Sequence, residues 1–249
     1  MTVTGIVVQA RSGSSRLPGK VLMPLAGRTV LAHVIERCLA TDGVDVVCCA
    51  VPAGDADDAV TGEAVRCGAK VFRGSEADVL DRYWRAARAL GIDVIMRITA
   101  DCPLIDPEVC AAVLRLRAET DADYACNNMP PTWPHGLDCE AITFKWLERS
   151  TREATQPYER EHVTQYVRNH PEASKVNLPM PRGVAAEHRW TLDNERDFRF
   201  LNAVYSRLPT NRRAWDWAAT LAIVEADPAL FAINAGQDRH EGLNKSMGA

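Results

Sequence analysis

The sequence predicts an α/β protein in which helices cover both faces of one mainly parallel, mixed sheet, forming a three-layer sandwich. Three observations support this fold class. Short apolar runs alternate along the chain with segments whose apolar residues recur at helical spacing. The run over 44–51 is almost continuously apolar and rich in valine, as is typical of a strand covered on both faces. The connections between the runs are long enough for right-handed crossovers between parallel strands.

The first 126 residues alternate regularly between predicted strands and predicted helices. An apolar run over 5–10 predicts the first strand, and the spacing of Val30, Val34 and Ile35 predicts a helix over 29–39. Similar runs predict strands over 44–51, 70–73, 94–99 and 124–126, and helices over 55–67, 78–90 and 107–119. Ligands of such sheets bind beyond the carboxyl ends of the strands. Residues 10–20 and 99–105 therefore occupy candidate site positions.

The alternation breaks down from about residue 127. Three prolines within 129–136 predict a loop, and the charged segment over 148–168 predicts one helix. Residues 188–193 predict a late strand, followed by a helix that begins at Asn194. We therefore expect a single domain over residues 1–249, with an inserted region at about 129–180. The last twenty or so residues are polar, and we expect them to be poorly ordered.

Composition narrows the class of protein. The 249 residues are 47% hydrophobic and 25% charged, which is typical of a globular chain and excludes a fibrous or disordered one. No uncharged apolar stretch approaches the length of a membrane span, and the N-terminus lacks the basic and apolar regions of a secretory signal. A formal net charge of −4 excludes a chain-wide basic surface for nucleic acid. We expect a cytoplasmic protein without nucleic-acid or membrane partners.

The eight cysteines lack the spacing of a metal or disulfide site. No Cys-x-x-Cys pair occurs, and the adjacent Cys48 and Cys49 would point to opposite faces of a strand. The pattern predicts buried free thiols in a reducing compartment. The cysteines stand at positions 38, 48, 49, 67, 102, 110, 126 and 139.

The loop after the first strand, residues 10–20, concentrates positive charge and small residues. It contains three cations, two glycines and three serines. Small residues let backbone N–H groups approach an anion, and Arg11, Arg16 and Lys20 can neutralise a polyphosphate. The spacing matches neither a Walker loop nor a Gly-x-Gly-x-x-Gly fingerprint. A solvated basic loop is the alternative, but the position and charge density of the loop favour phosphate binding.

Residues 9–20 resemble the opening motif of the cytidylyltransferases that activate 3-deoxy-manno-octulosonate and acylneuraminates, and they are most similar to the spore coat polysaccharide biosynthesis protein F family. The resemblance covers about residues 5–200 and implies the Rossmann-like nucleotide-diphospho-sugar transferase fold. It also implies a reaction in which CTP and a small-molecule acceptor form a CMP-linked product and pyrophosphate, for surface polysaccharide biosynthesis. The further matching elements, in the order of the family, are 71–75, 78–83, 99–105, 161–164 and 189–193.

The resemblance implies roles for individual residues. Arg11, Arg16 and Lys20 should hold the phosphates, and with Asp101 they form the expected catalytic set. Asp101 and Asp193 should hold Mg²⁺, for which carboxylate oxygens are natural ligands, although each aspartate could instead cap a helix. The expected nucleotide-binding residues are Ala10, Arg11, Ser12, Gly13, Arg16, Lys20, Arg73, Ser75, Thr99 and Ala100. Ala100 departs from the family, which commonly carries glycine there.

The acceptor is expected to meet the inserted region, and His162 is the best polar candidate because a family element surrounds it. The candidates for acceptor binding are His135, Asp138, Glu140, His162 and Arg189. A homodimer is expected by likeness only. The alternatives are a glycosyltransferase of the same fold that uses a nucleotide-sugar donor, a sugar-1-phosphate nucleotidylyltransferase, and a non-catalytic nucleotide-binding protein. The presence of Lys20, Asp101 and Asp193 favours catalysis over the last.

Overall fold

A seven-stranded mixed sheet forms the centre of the molecule. The computed structural model describes residues 1–211, 215–239 and 241–248. The strands are β1 (Thr4–Gln9), β2 (Pro24–Leu25), β3 (Arg28–Thr29), β4 (Val46–Pro52), β5 (Lys70–Gly74), β6 (Val94–Thr99), β7 (Tyr124–Cys126), β8 (Glu140–Thr143) and β9 (Lys175–Asn177). The helices are α1 (Val30–Leu39), α2 (Asp58–Arg66), α3 (Val79–Leu90), α4 (Pro107–Thr120), α5 (Phe144–Glu153), α6 (Pro157–Glu161), α7 (Gln165–Asn169), α8 (Glu195–Tyr205), α9 (Trp217–Glu225), α10 (Pro228–Ala232) and α11 (Glu241–Ser246).

The strand order places a crevice at the end of β1. The order across the sheet is β5-β4-β1-β6-β8-β7-β9, while β2 and β3 form a separate small hairpin. β8 runs antiparallel to its neighbours β6 and β7, and the other pairs of the main sheet are parallel. The chain moves from β1 through β4 to β5 on one side and then returns to β6 on the other. Such a reversal opens a crevice at the carboxyl ends of β1 and β6, where ligands bind.

Alternate residues of the central strands enter two apolar cores, one on each face of the sheet. In β1, Ile6 and Val8 belong to the core that includes residues of α1, α4 and α8, whereas Val7 belongs to the core with α3 and α5. β6 alternates in the same way, because successive side chains of a strand point to opposite faces. Helices thus cover both faces, and the predicted three-layer α/β class with a mainly parallel sheet is confirmed.

Helix α3 is fixed against the crevice by a buried tyrosine. The Tyr83 hydroxyl lies 3.0 Å from the carbonyl oxygen of Val7 and 3.2 Å from that of Ile98, and so connects α3 to β1 and β6. Asp78 caps the helix by accepting the N–H of Asp81 at 2.9 Å. The first turns of α3 are therefore held beside the crevice.

Two predicted elements differ from the structure. The helix predicted over 148–168 is instead α5, α6 and α7, because Pro157 cannot continue a helix and Val163 adopts a φ of 60°. The strand predicted over 188–193 is wrong. That segment forms one isolated bridge, between Arg189 and His135, and the N–H of Leu192 donates to a carbonyl beyond the end of β6 rather than to a neighbouring strand.

Two short strands and one short helix were not predicted from the sequence. The segment over 129–180 supplies β8 and β9 to the main sheet, and these strands have only four and three residues. The polar C-terminal residues, expected to be poorly ordered, include α11, which packs against α6. All eight cysteines are free thiols, and all are buried except the half-buried Cys67, as predicted. In the part of the chain that the structure describes, no helix is both long and apolar enough to cross a membrane.

Candidate active site

The loop after β1 closes on itself and leaves several amide groups free. The N–H of Gly19 donates to the carbonyl of Ser12 at 3.0 Å, and Gly19 has a φ of 69°, a left-handed conformation that favours glycine. Asp57 accepts the N–H of Ser12 at 2.6 Å. The N–H groups of residues 13–16 have no acceptor among the described residues, and they are therefore available to an anion.

The ammonium group of Lys20 joins Asp101, which follows β6, to Asp193, which precedes α8. Its Nζ donates to Asp101 Oδ2 (2.7 Å), Asp193 Oδ1 (2.9 Å) and the carbonyl of Leu192 (2.8 Å), which uses all three of its hydrogens. Burial opposes ionisation of both carboxyl groups, and for Asp193 so does the charge of Asp101. The charge of Lys20 nevertheless holds the pKa of each below its usual value. Two ionised carboxylates therefore converge on one cation.

This pair of carboxylates has the chemistry of a magnesium site. Mg²⁺ prefers oxygen ligands and is usually bound by one or two carboxylates together with water and substrate phosphates. Within the described ranges, no group of three or more His, Cys, Asp and Glu side chains could hold a metal ion. Asp101 and Asp193 therefore fit a Mg²⁺ ion that shares its coordination with a phosphate ligand, rather than an ion enclosed by protein alone.

Two arginines hold Asp193 from other sides. Arg16 Nη2 lies 3.0 Å from Asp193 Oδ1, while Arg16 Nη1 contacts Glu241 of α11. Arg189 Nη2 lies 2.5 Å from Asp193 Oδ2, and Arg189 Nε lies 3.0 Å from Asp197 Oδ1. The fully buried Asp197 also accepts the N–H of Asp193 at 2.9 Å. The position of the Asp193 carboxylate is therefore set by a network and not by Lys20 alone.

A cavity of about 740 Å³, here called the large cavity, lies over the carboxyl ends of β1 and β6 and extends to the start of α3. At one end it is bordered by Lys20, Asp101 and Asp193. At the other end it is bordered by Glu76, Ala77, Val79 and Arg82, which follow β5. The full lining comprises residues 9–11, 13–16, 20, 21, 76, 77, 79, 82, 99–101, 161, 162, 193, 242 and 246.

A second cavity of about 300 Å³, here called the small cavity, adjoins the large one. The two cavities meet at six shared residues: Arg16, Thr99, Asp101, His162, Asp193 and Gly242. The carboxylates that Lys20 joins therefore border both. The small cavity is also lined by residues 97, 102, 128, 135, 138, 140, 165, 168, 191, 239 and 243.

A buried ionic cluster forms part of the small cavity wall. Glu140 is 2% exposed, and its carboxylate accepts hydrogen bonds from Arg97 Nη1 at 2.6 Å and Arg168 Nη1 at 2.9 Å. The hydroxyls of Tyr124 and Thr164 donate to the same carboxylate. Burial alone would raise the pKa of Glu140, but the two arginines lower it. Glu140 is therefore ionised and holds two guanidinium groups at the wall.

His162 stands where the two cavities meet, and a short network orients it. Its Nε2 lies 3.1 Å from Ser246 Oγ, and that hydroxyl lies 2.6 Å from Glu161 Oε2. A hydroxyl has one hydrogen, and the charged carboxylate is the stronger acceptor for it. This assigns the imidazole proton to Nε2 and leaves Nδ1 as an acceptor. Burial lowers the pKa of His162, which favours the neutral imidazole at pH 7.

A family model described as cytidylyltransferase matches residues 5–204. The chain belongs to the cytidylyltransferase family. The matched range contains Lys20, Asp101 and Asp193 of this cytidylyltransferase, whereas α9, α10 and α11 lie beyond it. The C-terminal segment that contributes Ser246 and Glu241 to the site is therefore outside the part of the chain that the family model covers.

Two relatives and one solved structure are similar to this cytidylyltransferase, and they confirm the resemblance. The spore coat polysaccharide biosynthesis protein SpsF of Bacillus subtilis is 33% identical over 208 residues, which are 81% of this chain and 85% of the relative. A 3-deoxy-manno-octulosonate cytidylyltransferase of Anaeromyxobacter sp. is 39% identical over 118 residues, which are 46% of this chain and 47% of the relative. The structure of a cytidylyltransferase from Leptospira borgpetersenii is 29% identical, with a TM-score of 0.88 over 96% of this chain and 99% of that chain.

Most residues predicted to bind the nucleotide line the large cavity of the cytidylyltransferase, but three do not. The Ser12 N–H is bound by Asp57. Arg73 points away from the cavity, because its guanidinium contacts Asp58 and the carbonyl of Gly54. The Ser75 hydroxyl accepts an N–H at the start of α3. The predicted nucleotide-binding residues in the lining are Ala10, Arg11, Gly13, Arg16, Lys20, Thr99 and Ala100, and the predicted metal ligands Asp101 and Asp193 line the same cavity.

Four of the five residues predicted to bind the acceptor line the small cavity: His135, Asp138, Glu140 and His162. Arg189 does not, because Asp193 and Asp197 hold its guanidinium. Asp138 is paired with Arg239 at 2.6 Å. Burial alone would raise the pKa of Asp138, but Arg239 holds it at about 2.

Sequence reasoning missed four arginines of the two cavities: Arg82, Arg97, Arg168 and Arg239. Arg97 carried a usable signal, because it is the one charged residue in the otherwise apolar strand over 94–99. Arg82 lies in the element 78–83 that resembles the family, but its helical position is equally typical of a solvated surface. Arg239 offered no signal in the sequence, because its neighbours in the cavity come from distant segments.

Proposed function

We propose that this cytidylyltransferase transfers CMP from CTP to a small-molecule acceptor, with Mg²⁺ and with release of pyrophosphate, for surface polysaccharide biosynthesis. The observation that carries the proposal is the convergence of Asp101 and Asp193 on Lys20 at the boundary of two cavities. A reaction between two substrates requires that both be bound side by side. Transfer of a phosphoryl group further requires neutralisation of charge at their meeting point.

The large cavity fits the nucleotide. The free N–H groups of residues 13–16 and the side chains of Arg11, Arg16 and Lys20 would bind the three phosphates. Asp101 and Asp193 would hold Mg²⁺, which would neutralise charge on the phosphoryl oxygens. These groups come from the loop after β1, the end of β6 and the segment before α8, so three separate parts of the chain would orient the α-phosphate.

The small cavity fits the acceptor. An acceptor oxygen would attack the α-phosphorus, form the new P–O bond and displace pyrophosphate. His162 borders both cavities, and its Nδ1 would take the proton of an acceptor hydroxyl. Arg97 and Arg168, which also line the small cavity, would orient polar groups of the acceptor. The 3-deoxy-manno-octulosonate cytidylyltransferase among the relatives supports a sugar acid as the class of acceptor.

Free thiols support the proposed location. Eight cysteines without a disulfide are expected of a protein that works in a reducing compartment, and so support the cytoplasm.

The test is release of pyrophosphate from CTP, UTP, ATP and GTP, each with and without Mg²⁺, in the presence of a mixed pool of sugar acids and sugar phosphates. We expect release from CTP that requires both the metal and the pool. Asp101→Asn should abolish it, whereas Asp121→Asn, at a carboxylate that is 95% exposed, should not. Binding of CTP with equal affinity in the presence and absence of Mg²⁺ would contradict the proposal, and so would release that does not depend on Asp101.

A further inference from the structure

Arg82 is a buried cation of the large cavity, and it forms no ion pair with any residue that the structure describes. It lies in the first turn of α3 and is 2% exposed. Its Nη1 donates to the carbonyl of Ser75, whereas its Nε is buried and has no hydrogen-bond partner. Among the described residues no carboxylate forms an ion pair with it. Burial lowers the pKa of Arg82, the charge of Arg11 lowers it further, and the nearby carboxylate of Asp57 opposes this only in part.

Burial without an ion pair distinguishes Arg82 from the other arginines of the site, because Arg11 is exposed to water and the others have a carboxylate partner. Arg16 and Arg189 contact Asp193, and Arg97 and Arg168 share Glu140. Burying a charge without a partner costs stability, because the lost hydration is not replaced. A ligand that brings hydrogen-bond acceptors to Arg82 would replace this lost hydration. The cavity wall therefore contains a donor group whose acceptor is missing from the protein itself.

The position of Arg82 indicates which part of a nucleotide would meet it. Lys20, Asp101 and Asp193 border the end of the large cavity on the β6 side of β1, and Arg82 borders the end that follows β5, on the other side of β1. If the phosphates occupy the first end, as in the proposed function on which this inference rests, the base faces the second. Ala77 and Val79 line the same end, and their apolar side chains suit the face of a planar base.

We propose that Arg82 selects cytosine by donating N–H groups to O2 and N3 of the base. These two atoms are neighbouring acceptors in cytosine, and the planar guanidinium fork matches two neighbouring acceptors. In uracil, N3 carries a hydrogen, so the same fork meets one acceptor and one donor. Arg82 is thus a specificity-determining residue, distinct from the cations that bind the phosphates.

The test compares the affinities for Mg·CTP and Mg·UTP by isothermal titration calorimetry, which needs no acceptor. Arg82→Met keeps the length of the side chain and removes every N–H group. The wild-type protein should prefer CTP, and Arg82→Met should reduce that preference by about 5- to 150-fold, the value of one bidentate base contact. The affinity for CTP should fall, whereas the affinity for UTP should change by less than about threefold, since uracil offers the guanidinium fork only one acceptor.

The matched control is Arg85→Met, one turn further along α3. Arg85 is 60% exposed and pairs with Asp81, so the same substitution should leave both affinities unchanged. A second variant, Arg82→Lys, retains the charge without the fork and should also lose preference for CTP. Cooperative thermal unfolding of each variant establishes that it folds. Should Arg82→Met not fold, Arg82→Lys decides the question.

Two results would overturn the assignment. Equal weakening of CTP and UTP would mean that Arg82 supports the loop after β5 rather than the base. An unchanged ratio in Arg82→Lys would mean that the charge, and not the fork, is used. Both differ from failure of the proposed function, in which the wild-type protein itself would bind neither nucleotide in a Mg²⁺-dependent way, and both proposals would then fall.

Discussion

Replacement of Lys20 by methionine tests whether Mg²⁺ can take the place of the Lys20 ammonium group between Asp101 and Asp193. The substitution keeps most of the apolar stem and removes the ammonium group that lies 2.7 Å from Asp101 and 2.9 Å from Asp193. Removing one partner of a buried ion pair costs about 3–5 kcal/mol. We expect the lower value, about 3 kcal/mol, because Asp101 and Asp193 are still 23% and 17% exposed to water. At about 2–4 °C per kcal/mol for a chain of this size, Tm should fall by about 6–12 °C.

Magnesium should then stabilise the variant more than the wild-type protein. Without Lys20 the two carboxylates repel each other, and a divalent cation can take its place. At a Mg²⁺ concentration about 100 times the Kd, binding contributes about 2.7 kcal/mol, which restores most of the loss. In the wild-type protein without nucleotide, Nζ already occupies the position between the carboxylates, so the same Mg²⁺ should raise Tm by less.

The assay is thermal unfolding with and without Mg²⁺, in the absence of nucleotide. Lys70→Met is the matched control, since Lys70 is exposed at the start of β5 and should show neither effect. A Lys20→Met variant whose Tm responds to Mg²⁺ no more than that of Lys70→Met would refute the assignment of Asp101 and Asp193 as the metal-binding pair. Turnover of CTP should also fall by about 100-fold or more, because Lys20 no longer neutralises the phosphates.

Three further predictions concern Glu140 and Glu241. Glu140→Gln should destabilise the protein by about 3–5 kcal/mol in urea unfolding, because it leaves Arg97 and Arg168 without a buried counter-ion; the exposed Glu119→Gln should not, and equal midpoints would contradict the reasoning. The arginines lower the pKa of Glu140 despite its burial, so its contribution is present above its unfolded pKa and is lost as pH falls through its folded pKa. The stability of the wild-type protein should therefore fall more steeply below about pH 4.3 than that of Glu140→Gln, and parallel curves would rule this out. Glu241→Gln should release Arg16 and tighten Mg·CTP binding by about 1.4- to 5-fold in calorimetry, the value of an exposed ion pair; the distant Glu225→Gln should not, and weaker binding would show that Glu241 helps to hold the nucleotide.

The local pattern of apolar residues was sufficient to predict many of the strands and helices. The strands β6 and β7 have the bounds that were predicted, and α1 begins within one residue of its predicted start. These segments have continuous apolar runs or clear helical spacing, which depend only on neighbours in the chain. β8 and β9 have four and three residues, too few to show a period, and their pairing depends on strands far away in the sequence.

The candidate site was predicted in part. Lys20, Asp101 and Asp193 were selected on their motifs, and the structure brings them into contact. Arg73 was selected on the same grounds, but Asp58 holds it outside the cavity. Whether a cation of a motif lies in the cavity or outside it depends on which carboxylate is near it in the folded protein. The motif around the residue does not contain that information.

The sequence by itself determined the class of fold, the positively charged loop after β1 and the family, because each of these is written in short segments of the chain. The tertiary structure alone decided that Lys20 lies between the two aspartates, that Arg82 is buried without an ion pair to any described residue, and that α11 places Ser246 beside His162. These features depend on which distant groups share a dehydrated space. Burial and long-range pairing are set by how helices and strands pack. A charged side chain that is stable in water needs a partner in the wall of a cavity, because burial removes its hydration.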